Sequence, residues 1–208
     1  MDLSQFLNEF EKREKISKSV VLEILYEQWM EKMRHSISKE ENVIWVSSLV
    51  YCKQRSLFEQ EYFFLFGIKP QLILGSLVHL GLQQILKDLG CKVEVEFEKE
   101  IQDYKIKGRV DAIDNDTVYE IKFAKDLREN RPYEHHIYQL RIYLWLTGYE
   151  HGKLIYVTPS RIVEFDESNP MDDDELIMFI DNWRSPRWEW ECNYCDFSQI
   201  CPYKIERR

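Results

Sequence analysis

Apolar residues recur along the chain at two spacings, and the changes between them outline the elements. From Ser19 to Met33, Val20, Ile24 and Trp29 fall with Leu22, Leu25 and Tyr26 at helical intervals among Glu and Lys, the pattern of an amphipathic packing arm. A mostly polar connection, residues 36–45, follows, and a new element begins near Ser47. Tyr51 to Phe66 is rich in aromatics and predicts a helix with Cys52 near its start. The strongest helical stretch is Gln71 to Leu89, where Leu72, Val78, Leu82, Ile85, Leu86 and Leu89 repeat, His79 sits mid-way and Gly90 supplies a stop.

The spacing then changes to two. VEVEFEKEI (93–101) alternates apolar and acidic residues as a half-exposed strand does. KIKGRVDAI (105–113) and TVYEIKFA (117–124) predict two more strands, joined by a hairpin turn at Asp114-Asn115-Asp116. A helix from His136 to Tyr149 leads through Gly152 into strands 153–158 and 161–165. The acids Asp172 to Glu175 open a last helix to about Trp183, and an aperiodic tail rich in Trp, Pro and Cys begins at Ser185. This order predicts an α/β fold with a mixed central sheet flanked by helices, not a repeating βαβ wheel. The divisions are an N-terminal helical arm (1–45), a core (46–184) and a C-terminal tail (185–208).

Composition narrows the class. The 208 residues are 44% hydrophobic and 14% aromatic, enough for a full core, so global disorder is excluded. No apolar run approaches the roughly 18 residues of a membrane span, and MDLSQFLNEFEKREK lacks the apolar stretch of a secretory signal. A cytoplasmic protein with no membrane partner is expected. The formal net charge of −9 argues against a purely electrostatic nucleic-acid coat. It is compatible with an enzyme that grips nucleic acid locally.

The candidate chemistry sits on the hairpin. Glu120 and Lys122, two apart on one strand, point to the same face, with Tyr119, Ile121 and Phe123 on the other. Asp111, at the end of the preceding strand, comes near Glu120 across the turn. Two carboxylates suit Mg²⁺ or Mn²⁺, which makes a bound water a stronger nucleophile and offsets phosphate charge. Lys122 beside that water would orient it, accept its proton or stabilise charge, and as a base it needs a pKa lowered towards about 7–8. In a chain that is 31% charged, an E-x-K triplet also arises by chance as a solvated strand face. His79, among Leu72, Leu80, Leu82 and Leu86, would present an imidazole to the same metal and tilt the preference towards Mn²⁺. Gln139 and Tyr143 share a helical face and would hold a phosphate or position Lys122, or form a plain polar patch.

Cys192-x2-Cys195-x5-Cys201-Pro202 places three thiols on one loop, a ligand pattern that needs a fourth member. Cys52, followed by the polar KQR stretch, is favoured over Cys91, which reads as a small buried residue. The remoteness of Cys52 favours a [4Fe–4S] cluster joining the chain's ends, with a zinc site as the rival and a disulfide as the reading for an oxidising setting. The nearby bases Lys53, Arg55, Lys204, Arg207 and Arg208 would line a path for a strand.

The ordered set Cys52, His79, Gly108-Arg109-Val110-Asp111, Glu120-Ile121-Lys122, Gln139-x3-Tyr143, Cys192, Cys195 and Cys201 resembles the CRISPR-associated RecB-like exonucleases (the "Cas four" family) of the PD-(D/E)xK nuclease superfamily. The resemblance spans residues 47 to about 203. It implies a metal held by His79, Asp111, Glu120 and the Ile121 backbone carbonyl, with Lys122 serving the water. Gln139 and Tyr143 complete such a site, and Cys52, Cys192, Cys195 and Cys201 hold the cluster. It also implies trimming of single-stranded DNA beside a CRISPR adaptation integrase, and leaves a homo-oligomer open. The arm of about 45 residues is longer than the resemblance leads one to expect. The competing class is a non-catalytic nucleic-acid or protein-binding module that keeps a cysteine site with zinc or a cluster.

Overall fold

The period-two stretches pair into one sheet of six strands: β1 (Val43–Trp45), β2 (Lys92–Ile101), β3 (Tyr104–Ile113), β4 (Thr117–Phe123), β5 (His151–Val157) and β6 (Ile162–Glu167). The computed structural model describes residues 20–35, 42–62, 70–127 and 131–206. Helices α1 (Val20–His35), α2 (Val46–Leu49), α3 (Lys53–Tyr62), α4 (Pro70–Asp88), α5 (Glu134–Thr147) and α6 (Asp173–Asp181) accompany the sheet. The expected mixed sheet with flanking helices is therefore present. Among the described residues, no helix is long and apolar enough to cross a membrane. The expectations for residues 1–19, for the connection at 36–41, for the aromatic helix beyond Tyr62 and for Arg207 and Arg208 fall outside the described residues.

β3 organises the sheet. One of its edges pairs antiparallel with β2 from Ile113 to Tyr104. The other edge is shared: β1 runs parallel along Lys105–Lys107, and β4 pairs antiparallel only at Ala112 and Ile113. β4 continues parallel to β5 over its full length, and β5 pairs antiparallel with β6. So β3 and β4 leave their turn together and then part. The turn itself is fixed by Asp114, whose Oδ1 accepts from the amides of Asp116 (3.0 Å) and Thr117 (2.9 Å). This is an Asx-type closure that suits the Asp-Asn-Asp run.

Two corrections to the sequence reading have simple causes. Val43–Trp45, expected as the end of a polar connection, forms β1; three residues are too few to show a period, and the β3 edge supplies their partners. α5 begins at Glu134 and ends at Thr147, because Gly148 (φ 75°) takes the left-handed conformation that closes a helix. Elsewhere the signals held. Gly90 (φ 96°) follows α4, and Asp172 caps α6 by accepting from the Glu175 amide at 2.8 Å.

The core lies between α5 and the sheet. Ile106, Gly108, Val110 and Ala112 alternate inward from β3, and Leu140, Ile142 and Leu144 of α5 are fully buried. Gly108 decides how close the two come. A Cβ there would stand 2.7 Å from the Tyr143 ring and 2.8 Å from Leu146. Tyr143 thus crosses β3 directly over the glycine. Arg141 then ties α5 to α6 through a two-point bond to Glu175 (2.7 and 2.5 Å).

Gly108→Ala is expected to push α5 off the sheet and destabilise the protein by about 1–3 kcal/mol, as overpacking does. Denaturant unfolding monitored by circular dichroism checks this; unchanged stability would mean that α5 does not need the close approach.

Candidate active site

The parting of β3 and β4 builds the site. Beyond Ala112↔Tyr119 the two strands make no further ladder pair, and the Ile121 amide donates instead to Asp111 Oδ2 at 2.7 Å. Asp111 belongs to the face of β3 that looks to α4, where His79 Nδ1 stands 3.2 Å from its Oδ1. Glu120 and Lys122 share the opposite side, where Lys122 Nζ meets Glu120 Oε1 at 2.6 Å and donates to Gln139 Oε1 of α5 at 2.7 Å. Gln139 in turn donates to the Tyr143 hydroxyl at 3.1 Å. The split lets residues from both faces meet in one cleft of about 660 Å³, lined by His79, Asp111, Glu120, Lys122, Gln139 and Tyr143. Six residues picked out by sequence alone are brought together. For Ile121, also predicted, the structure shows its amide bound to Asp111.

The charges in this cleft are interdependent. Burial pushes Asp111 up, but His79, Lys122 and the Ile121 amide outweigh it and hold its carboxyl below the usual range. Burial and the neighbouring Asp111 hold Glu120 above its ordinary value despite Lys122. For Lys122 burial works against the charge, yet Glu120 and then Tyr51 and Asp111 raise it above its ordinary value. That direction is opposite to what a general base at this position requires, so Lys122 stands in the cleft as an ammonium. Glu120 Oε2 is buried and has no hydrogen-bond partner. Such an oxygen costs about 1–3 kcal/mol or more if it stays unsatisfied, and a hard cation satisfies it. Among the described residues, no three His, Cys, Asp or Glu side chains are already drawn into metal-holding geometry.

The surroundings of His79 differ from the sequence reading. Leu72 and Leu80 are 40% and 46% exposed, so the leucines beside it do not form a closed apolar wall. Of the basic path, Arg55 lines the cleft, bonded to Glu59 at 2.7 Å. Lys53 instead lies 5.6 Å over the Trp183 ring, and Lys204 pairs with Glu206 at 3.6 Å.

Next to the cleft, Cys52, Cys192, Cys195 and Cys201 line one small cavity. Burial raises the thiol of Cys195 to about 11, with Cys52 and Cys201 adding to the rise, and Cys201 is raised by burial with Cys52 and Cys192. Cys91 is elsewhere, buried at the head of β2 beside Asp114. The donor chemistry suits a tetrathiolate group, and Cys52, not Cys91, lines the cavity with the three tail thiols. The tail is bolted to the core by Glu191. It is 3% exposed and accepts from the backbone amides of Cys52 (2.7 Å), Arg187 (2.9 Å) and Trp188 (2.9 Å). The Trp183 and Trp188 indoles add bonds to the carbonyls of Tyr51 and Val50, both 2.8 Å.

No family profile matches the chain. Over 184 residues, however, it is 43% identical to the CRISPR-associated exonuclease Cas4 of Saccharolobus solfataricus, covering 80% of this chain and 91% of that protein. This chain belongs to the Cas4 exonuclease family. The crystal structure of SSO0001 superposes with a TM-score of 0.82 at 39% identity, over 91% of this chain and all of that one. An alkaline exonuclease from Laribacter hongkongensis, LHK-Exo, matches with a TM-score of 0.51 at 15% identity, over 74% of this chain and 87% of its own. That last likeness is one of fold alone. The enzyme class expected from the sequence, a DNA exonuclease, is that of the Cas4 family, and the competing non-catalytic class is set aside.

Sequence reasoning missed several residues in and around the cleft. Glu191 hides among ordinary acids of the tail, and nothing in its spacing marks it as buried. Gln83 and Glu94 also went unnoticed, although Gln83 follows His79 by one helical turn. Glu191→Ala leaves three amides, that of Cys52 buried and those of Arg187 and Trp188 partly buried, without their acceptor and is expected to cost on the order of 2–4 kcal/mol. Urea unfolding reads this; a loss near zero would show that the tail is held by its aromatic residues alone.

Proposed function

We propose that this protein is a divalent-metal-dependent exonuclease that hydrolyses single-stranded DNA at ends being prepared as CRISPR spacers. The observation that carries the reading is the strand split, which sets Asp111, Glu120 and His79 around one cleft and leaves Glu120 Oε2 buried and unbonded. The proposed ligands of Mn²⁺ or Mg²⁺ are His79, Asp111, Glu120 and the backbone carbonyl of Ile121. Bound there, the ion would supply a more acidic water and offset charge on the scissile phosphate. Lys122, fixed between Glu120 and Gln139, orients the attacking water and steadies the charge that develops. Gln139 and Tyr143 hold Lys122 in place. Tyr194, 77% exposed, lines the same cleft and offers a face on which an unpaired base stacks, which supports a single-stranded substrate.

The four clustered cysteines are proposed to hold a structural [4Fe–4S] group, because hydrolysis needs no electron transfer and the group would clasp Cys52 to the tail. A second reading for the same four thiols is a single zinc ion, and the two differ in colour. The division into arm (1–45), nuclease core (46–184) and tail (185–208), the cytoplasmic setting, the adaptation integrase as partner and homo-oligomer formation belong to the same proposal.

Cleavage of end-labelled single-stranded DNA is expected with Mn²⁺ or Mg²⁺ and to be absent in excess chelator. Asp111→Ala and Glu120→Ala should abolish it while circular dichroism stays native. Full activity in chelator would overturn the metal-dependent reading. Lys122→Ala should lose turnover by roughly 100- to 1,000-fold and keep metal affinity. Calorimetric Mn²⁺ titration decides this, because a loss of affinity matching that of Glu120→Ala would make the lysine part of the metal's support.

The purified protein is expected to be brown. Cys195→Ala should bleach it and lower its melting temperature, whereas Cys91→Ala should do neither. A colourless protein with one bound zinc would replace the cluster by the second reading.

A further inference from the structure

We propose that Arg109 is a phosphate-binding residue of the cleft, and that Glu94 is the positioning residue that aims it. The inference deepens the nuclease reading and rests on it. Arg109 and Asp111 are two apart on β3 and so share a face, and both line the cleft. Five carboxylates also line it: Glu59, Glu94, Asp111, Glu120 and Asp196. A polyanionic strand entering there needs fixed cations. Lys122 is engaged by Glu120 and Gln139, and Arg55 by Glu59. Arg109 is the cation two residues from Asp111, where the scissile phosphate must come.

Glu94 carries the case. The β2–β3 register runs without a shift from Lys92↔Ile113 to Ile101↔Tyr104, and Glu94, directly across from Asp111, is the one position left out. Its backbone is left-handed (φ 52°), which an L-residue inside a strand adopts only at a cost. An extended Glu94 would stand beside Asp111 as a directly opposed like charge. The turned backbone breaks that pairing. Its carboxylate meets Arg109 Nε at 2.9 Å and accepts from Gln83 Nε2 at 2.7 Å. Gln83 is 5% exposed, and its amide also reaches the Asp111 carbonyl at 3.4 Å. Glu94 therefore grips the guanidinium from its Nε side and is itself gripped from α4. Arg109 Nη1 lies 3.8 Å from Glu96, whose side chain is 60% exposed, so the outer edge of the fork is only loosely engaged. That edge is the one free to meet a phosphate.

The test is binding of a fluorescent single-stranded oligonucleotide to the full-length protein without added divalent metal, at several salt concentrations. Arg109→Gln should bind roughly tenfold more weakly. The slope of log K against log[salt] should fall by about 0.7, the release expected for one phosphate contact on a single strand. Arg109→Lys should restore the slope and only part of the affinity. Glu94→Gln distinguishes aiming from simple charge. Loss of a negative charge alone tightens binding of a polyanion, whereas loss of aim weakens it and raises KM more than it lowers kcat. Mn²⁺ titration of both variants should match the unaltered protein. Unchanged affinity and slope in both arginine variants, tighter binding by Glu94→Gln, or loss of Mn²⁺ affinity equal to that of Asp111→Ala would each overturn the inference. Failure of the unaltered protein to bind the strand would instead overturn the single-stranded substrate, and this inference with it.

Discussion

One hydrogen bond stands where a sheet would ordinarily continue. The Ile121 amide donates to the Asp111 carboxylate at 2.7 Å and not to a β3 carbonyl. β3 and β4 share only two ladder pairs before they part. A buried amide left without a partner costs about 1–3 kcal/mol, so strands do not separate unless something takes the donors. Asp111 takes one. The carboxylate is thus a structural substitute for the ladder and a candidate metal ligand at once. Strand divergence and the site are the same feature.

From that bond the other charges follow. A carboxylate buried to hold an amide needs a counter-charge, and His79 stands 3.2 Å away. Glu120, brought close by the same split, adds a second buried acid, and Lys122 at 2.6 Å offsets it. At the centre of the cleft these two acids face one lysine and one histidine, and one carboxylate oxygen is left unbonded. Buried ion pairs gain little stability for what they cost to desolvate. Their retention in a core otherwise built from Ile106, Val110 and Leu140 points to use, not to folding. Gly108 belongs to the same logic: by yielding its Cβ it lets Tyr143 and Gln139 come down onto the sheet and hold the lysine.

The legible part of this molecule was what periodicity and short spacing encode. Glu120 and Lys122 share a face because a strand alternates, and Asp111 meets them because the Asp114 turn reverses the chain after two residues. The helix around His79 and the acid-led start of α6 were equally visible. What was not visible has a common cause. β1 is three residues that become a strand only against β3. Glu94 lies in VEVEFE, an unbroken alternation, and no sequence signal marks which glutamate turns left-handed. The burial of Glu191 depends on the chain returning to Cys52 from 139 residues away. Contacts made by tertiary neighbours leave no local period to read.

The tail shows how such a non-local contact shapes the site. Glu191 accepts the amide of Cys52 and lies directly before Cys192, so one carboxylate sets the first and second clustered thiols against each other. The same turn brings Trp190 within 6.5 Å of Tyr51 and 5.0 Å of His135 by ring centroids. Tyr51 lines the cleft and feels the charge of Lys122. His135 sits in the first turn of α5, the helix that carries Gln139 one turn later. The cysteine loop therefore reaches the cleft through two aromatic contacts and one helix start. Holding Cys52 and Cys192 together fixes Tyr51 and the start of α5, and with them the glutamine that steadies Lys122.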